Sequence, residues 1–363
     1  MKNYLEKLDP MIKEYFKILS DDFPKFLLEY IETPRMQKQD GISVSCGTCY
    51  SKMFDTIWYS SLDHSVAVAL IIWNFTHDKK QTLSGLFHDI STPAFKHCID
   101  FMNNDYETQE STEDLTRTMI LESKEIMSLL ERDNINIDEV ADYHIYPIAD
   151  NDTPMLSADR LEYTLTNGLG QIKKIWGLDE VKIIYSNIEI AYKKDGTPEM
   201  CFKDRDIAER FVEVMSELSI LYMNDDRRLG MQFLADIMKQ MSQDGIISIS
   251  DLYELSEADV IEKIKSCKNH NIAYCFDVWQ NGNSVEVSVK NINDRYCINV
   301  KAKKRYINPL VKTKNGVFRI SDISEKARKN IEKSLNYTFD RYLYMDFNFK
   351  DKERVLSKTL YQE

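Results

Sequence analysis

Long apolar runs are absent from this chain. No stretch of eighteen or more apolar residues occurs in its 363 positions, so no membrane-spanning helix is expected. The opening segment MKNYLEKLDPMIKEYF also lacks the continuous apolar region of a secretory signal. Cysteine is sparse: seven scattered thiols, an odd number, do not read as a disulfide framework. A cytoplasmic protein is the expectation. Nor is there an excess of positive charge. Lys and Arg number 47 against 59 Asp and Glu, a net charge of -12, which argues against non-specific binding along nucleic-acid backbones. A metal and a few local cations can still hold one phosphorylated small molecule inside an acidic protein.

What is present reads as helix over roughly the first 240 residues. Leu5, Leu8, Ile12, Tyr15, Phe16 and Leu19 fall at helical spacing, as do Ala208, Phe211, Val212, Met215 and Leu218. Glycine is scarce there and strand-like alternation nearly absent. Asp244-Gly245 marks a boundary, giving a helical domain over 1–245 and an α+β region over 246–363. In the latter, AYCFDVWQ and SVEVSVK flank Asn281-Gly282 and predict a hairpin. A second Asn-Gly, Asn315-Gly316, sits between PLVKTK and VFRI; YCINVKAKK and YLYMDFNF also alternate. Helices are expected at about 251–268 and 322–336. The fold class expected is mainly α: an all-helical core with a smaller C-terminal α+β region.

Four residues carry the chemistry. His64 lies in SLDHSVAVALIIWNF, His88-Asp89 in LSGLFHDISTPAF, and Asp159 in LSADRLEYTL. A histidine on an apolar helix is usually an ordinary core residue. A His-Asp pair inside an apolar helix is more telling, because a buried carboxylate needs a partner and a metal is one. Thr153-Pro154 is expected to open the third helix, with Asp159 and Tyr163 on one face. Two imidazoles and two carboxylates suit a first-row divalent ion, with room left for water.

These segments resemble the HD superfamily of metal-dependent phosphohydrolases, and within it the deoxynucleoside triphosphate triphosphohydrolases. The resemblance covers roughly residues 35–170. It implies that His64, His88, Asp89 and Asp159 bind one divalent ion (Mn, Fe, Ni, Zn or Mg). It also implies that a metal-activated water attacks phosphorus. Where relatives read HDxGHxPFSHxxE/D, this chain reads HDISTPAFKHCID. His97 and Asp100 match the later histidine and acid, implying contact with a substrate phosphate and its orientation. Tyr163 matches a phosphate-contacting tyrosine. Two departures stand out. Ser91-Thr92 replace Gly-His, and Thr112-Glu113 stand where a further His-Glu is expected; Ser61 also replaces an arginine. His97, Asp100 and Glu113 are therefore the catalytic candidates. Lys96, Arg117, Arg160 and Tyr163 are the candidates for substrate binding.

The substrate expected is a nucleotide, a deoxynucleoside triphosphate ahead of a monophosphate. A nucleotide-binding regulator without turnover is the alternative, as is an HD-type nucleotidase or phosphodiesterase. A binuclear phosphodiesterase centre looks under-supplied, with six histidines in all. Homo-oligomers are expected by analogy, and no membrane partner. Four other features carry less. Cys46-Gly47-Thr48-Cys49 is a lone CxxC and reads as coincidence. Lys301, Lys303, Lys304 and Arg305 read as a solvated strand edge, with a regulatory nucleotide site as the sharper alternative. Arg227-Arg228 reads as charged surface. His144 and Tyr146 are placed near the pocket.

Overall fold

The structure, a computed structural model, describes residues 3–107 and 115–347. Its helices include α1 (Pro10–Leu19), α2 (Ser61–Thr76), α3 (Lys79–Phe87), α4 (Cys98–Met102), α5 (Ala158–Thr166), α6 (Arg205–Tyr222), α7 (Asp225–Gln243) and α8 (His270–Asn281). Helix α2 is the hub. Every residue from Ser61 to Ile72 is buried, so the helix is covered on all sides rather than along one stripe. Ser60 caps it, its hydroxyl accepting from Asp63 N–H at 3.0 Å. Helix α3 packs closely against it through Gly85, where an added Cβ would meet Ile72 Cδ1 at 2.2 Å. Gly85→Ala is therefore expected to lower stability by about 1–2 kcal/mol, because overpacking outweighs the helix propensity gained. A shift of the urea midpoint measures it.

The expectation of an all-helical core is overturned. Strands β1 (Ile188–Tyr192) and β2 (Pro198–Phe202) form a hairpin inside the region read as wholly helical. Strand β2 then pairs in parallel with β5 (Leu310–Thr313), which pairs with β6 (Gly316–Arg319), giving the order β1-β2-β5-β6. A second sheet orders β3 (Glu286–Ser288), β7 (Tyr342–Met345) and β4 (Tyr296–Ile298) as β3-β7-β4. The chain is mixed α/β, though largely helical.

The hairpin expected around Asn281-Gly282 is likewise replaced. AYCFDVWQ belongs to helix α8, because Ile272, Cys275, Phe276 and Trp279 recur at helical spacing and all four are buried. The helix stops at Gly282. The hairpin at Asn315-Gly316 does form, with Gly316 at φ 130° and Thr313 opposite Gly316. The helix expected over 251–268 is two, Ile249–Glu254 and Glu257–Ser266, each capped by a serine. The one expected near 322–336 spans Glu325–Leu335.

Among the described residues, the buried side chains form two hydrophobic cores. One gathers α1, α2, α3, α5 and α6 with Val311, Ile320 and Ile331 from the C-terminal region. The other gathers α7, α8 and the second sheet with Ala94–Phe101 from the N-terminal half. The HDISTPAFKHCID segment thus crosses from one core to the other. Among the described residues no helix is long and apolar enough to cross a membrane.

Candidate metal centre

The HD segment does not sit mid-helix as expected. Helix α3 ends at Phe87, and the His88 ring replaces the missing backbone donor, its Nδ1 lying 2.7 Å from the Gly85 carbonyl. That bond fixes the tautomer: Nδ1 carries the proton and Nε2 presents a lone pair. Asp89 follows in a turn. The third segment also differs, since α5 begins at Ala158 with Ser157 as cap and Thr153-Pro154 lies in the preceding loop. Asp159 falls in its first turn.

These elements bring the four residues together. His64 Nε2 and His88 Nε2 face each other at 3.2 Å. Asp89 Oδ2 lies 3.9 Å from the first and 3.8 Å from the second. Asp159 Oδ1 lies 3.2 and 3.8 Å from them. Ligands about 2.1 Å from a shared octahedral ion stand about 3.0 Å apart when adjacent and about 4.2 Å when opposite, so the His64, His88 and Asp89 atoms lie in the range of a shared ion, and Asp159 stands close to both imidazoles. Among the described residues, His64, His88 and Asp89 form a group whose ligand atoms could hold a metal ion. The donor set fits as well: two lone pairs aimed at one another repel unless a cation lies between them.

Electrostatics point the same way. Burial works against a charged imidazole at His64, but Glu162 and Asp159 outweigh it and raise its pKa to about 10. Burial likewise opposes ionisation of Asp159, yet the bond and charge of His64 hold its pKa well below the usual range. Asp89 is held low despite burial by Lys96 and both imidazoles. The cluster demands positive charge.

Glu162 went unnoticed in the sequence. It is wholly buried one turn beyond Asp159, and its carboxylate accepts from His64 Nδ1 and from the hydroxyls of Tyr59 at 2.8 Å and Tyr15 at 3.3 Å. A carboxylate behind a ligating imidazole fixes its tautomer and orientation. The signal was there: an acid in the apolar run of LEYTL.

The centre opens into a cavity of about 930 Å³ that is also lined by Lys96, His97, Arg117, Arg160 and Tyr163. Lys96 Nζ reaches Asp89 Oδ2 at 2.5 Å. It does so from a strained turn, with Phe95 and Lys96 at φ 63° and 44°, each costing about 1–3 kcal/mol. His97 Nδ1 meets the buried Asp100 carboxylate at 2.9 Å. Arg160 is paired with Asp150 and Arg117 with Asp138, both at 3.0 Å. His144 lines the cavity, bonded to Asp142 at 2.9 Å, while the Tyr146 hydroxyl donates to the Glu139 carbonyl. Thr112 and Glu113 lie outside the described residues. Cys46 lines the cavity too, and burial pushes the Cys49 thiol up to about 11.

Two surface readings are corrected. Arg227 and Arg228 are buried in the first turn of α7. Residues 299–309 are not a strand edge: Lys303, Lys304 and Arg305 line the cavity, and only Lys301 reaches away, pairing with Glu107 at 3.3 Å. Lys193 and Pro198, from the β1–β2 hairpin, line it as well.

The strained turn is tied to the C-terminal half by the wholly buried Glu257, whose Oε1 accepts the Phe95 N–H at 3.2 Å. Burial raises its pKa to about 8. The folded chain therefore binds this proton more tightly than the unfolded one, and stability is lost as pH rises from about 4.5 to about 8. Melting temperatures across that window are expected to fall for the native sequence and to fall less for Glu257→Gln. Parallel curves would remove Glu257 as the cause.

No protein-family profile matches the chain. An uncharacterized protein of Bacillus subtilis strain 168, YdhJ, is 26% identical over 274 residues, covering 74% of this chain and 78% of that one. A phosphohydrolase from Bacteroides thetaiotaomicron VPI-5482 has a similar structure, with TM-score 0.62 at 14% identity, covering 90% of this chain and 97% of its own. A hypothetical protein from Aquifex aeolicus gives TM-score 0.62 at 15% identity, over 89% and 93%. The likeness to these two structures is one of fold.

Proposed function

We propose that this protein is a metal-dependent phosphohydrolase of the HD type acting on a nucleotide, with a (deoxy)nucleoside triphosphate as leading substrate. The observation that carries the reading is the cluster of His64, His88 and Asp89 in the wall of a large cavity, with Asp159 Oδ1 3.2 Å from His64 Nε2. The fold shared with the Bacteroides phosphohydrolase supports it. A divalent ion held by these four residues would supply Lewis-acid polarisation of a phosphoryl oxygen and acidify a water.

The chain's own residues supply the rest. Lys96 holds Asp89 ionised and in place. Glu162 does the same for the His64 ring. His97 donates from Nδ1 to Asp100, which leaves Nε2 as a proton acceptor, and burial lowers its pKa so that the ring is neutral near pH 7. It is the general acid/base in this reading; Glu113, the other candidate from the sequence, lies outside the described residues. Tyr163, one turn beyond Asp159, faces the same cavity.

Purified protein loaded with manganese and offered mixed nucleotides is expected to release phosphate, pyrophosphate or triphosphate. A protein that takes up no divalent ion and yields no product from any nucleotide would refute the reading. One observation favours a second reading, a nucleotide-binding regulator: Thr92 lines the cavity where relatives carry an imidazole. Tight nucleotide binding without product would select it.

A further inference from the structure

Helix α7 starts with two arginines that are used in opposite ways. Arg228 is fully satisfied: it donates to the carbonyls of Met223 and Val300 and pairs with Asp225 at 2.7 Å. Arg227 is also buried, at 7% exposure, yet among the described residues no carboxylate lies within ion-pair reach of it. Its Nη1 donates to Thr48 Oγ1 at 3.2 Å, its guanidinium lies 4.9 Å from the Phe54 ring centre, and its buried Nε has no acceptor. Removing a guanidinium from water and leaving a donor unused is costly unless an anion arrives. Arg227 lines the metal cavity.

Arg305 reaches that cavity from elsewhere in the chain. The extended segment 299–309 is pinned at three points. Arg228 donates to the Val300 carbonyl, Ser219 donates its hydroxyl to the Arg305 carbonyl, and the Asn308 N–H donates to the Pro154 carbonyl at 2.8 Å. These ties set Arg305 into the wall. Its charge is felt at His97, Tyr163 and Tyr222, on three separate elements, and Arg227 also acts on Tyr222. Arg227, Arg305 and Tyr222 all line this one cavity.

We infer that Arg227 and Arg305 form a second anion site in this cavity, which seats a phosphate group other than the one at the metal centre. Guanidinium groups suit that task, since their paired N–H donors match phosphate oxygens. Assigning the ligand as part of a substrate rests on the phosphohydrolase reading; the anion site itself does not.

Calorimetric titration of the full chain with inorganic tripolyphosphate, in the presence of a chelator, separates the two. Wild-type protein is expected to bind it. Arg227→Met and Arg305→Met are each expected to weaken binding about 10- to 100-fold, the value of one charge-assisted contact. Arg227→Lys is expected to fall between, because a point charge lacks the planar fork. If Arg227→Met fails to fold, the half-buried Arg305 decides alone, and an unchanged affinity in Arg305→Met overturns the inference. So does a wild-type protein that binds no tripolyphosphate. Since no turnover is measured, an inactive protein that binds tripolyphosphate through these arginines would sink the hydrolase reading and leave this one standing.

Discussion

Asp89→Ala is expected to remove the bound divalent ion and the hydrolytic activity together. The carboxylate is placed within 3.9 Å of both imidazole Nε2 atoms and is held ionised by Lys96 at 2.5 Å. Deleting it takes away a negative charge and leaves Lys96 buried beside two imidazoles and no opposing group on that side. The remaining three ligands would then face a competing cation. Loss of a metal's charge stabilisation is worth several kcal/mol in a transition state, so activity should fall by about three orders of magnitude or more. Metal analysis of the purified variant and a phosphate-release assay measure the two losses. An active variant containing no metal would refute the centre as described.

Glu162→Gln is expected to have the next largest effect, although Glu162 touches neither metal nor substrate in this reading. Its carboxylate accepts from His64 Nδ1, Tyr59 and Tyr15 in a fully buried setting. An amide keeps the shape but offers one acceptor oxygen in place of two and directs an N–H₂ group at donors. Metal affinity should fall about 10- to 100-fold, the usual consequence of losing a partner behind a ligating histidine. The readout that distinguishes this from a purely structural loss is recovery: added metal should restore most of the turnover in Glu162→Gln and none in Asp89→Ala. Equal failure at saturating metal would mean that Glu162 does more than orient the ring.

The His64, His88 and Asp89 cluster, which could hold a metal ion, was legible in the sequence because ionisable residues in apolar surroundings advertise themselves. His64 in SLDHSVAVAL and Asp89 in LFHDIS interrupt hydrophobic runs that otherwise have no reason to admit them. Their exact local frame was not legible. His88 ends its helix by bonding the Gly85 carbonyl through its own ring, a local competition that periodicity does not register. The second anion-facing group was hidden for a different reason. In NDDRRLG, Arg227 and Arg228 look like a solvated cap, but segments distant in sequence cover them, Thr48 and Phe54 at Arg227 and Val300 and Phe339 at Arg228. The same distance effect explains the missed sheet. Strand β1 pairs locally, but the sheet is completed by β5 and β6, more than a hundred residues later. AYCFDVWQ failed through ambiguity of period: its aromatic and β-branched residues favour a strand, while the burial of Cys275, Phe276 and Trp279 follows a helix.

The segment 299–309 also sets an order of events during synthesis. All four metal-centre residues have been translated by position 159, yet the wall that carries Arg305 and the strand that pairs with β2 come some 150 residues later. At ordinary elongation rates of about 5–20 residues per second, that interval lasts about 7–30 s. A nascent chain therefore carries the His64, His88 and Asp89 cluster long before it has the segment that completes the cavity wall. Until residues 299–309 follow, the cavity wall lacks Ala302, Lys303, Lys304, Arg305 and Tyr306.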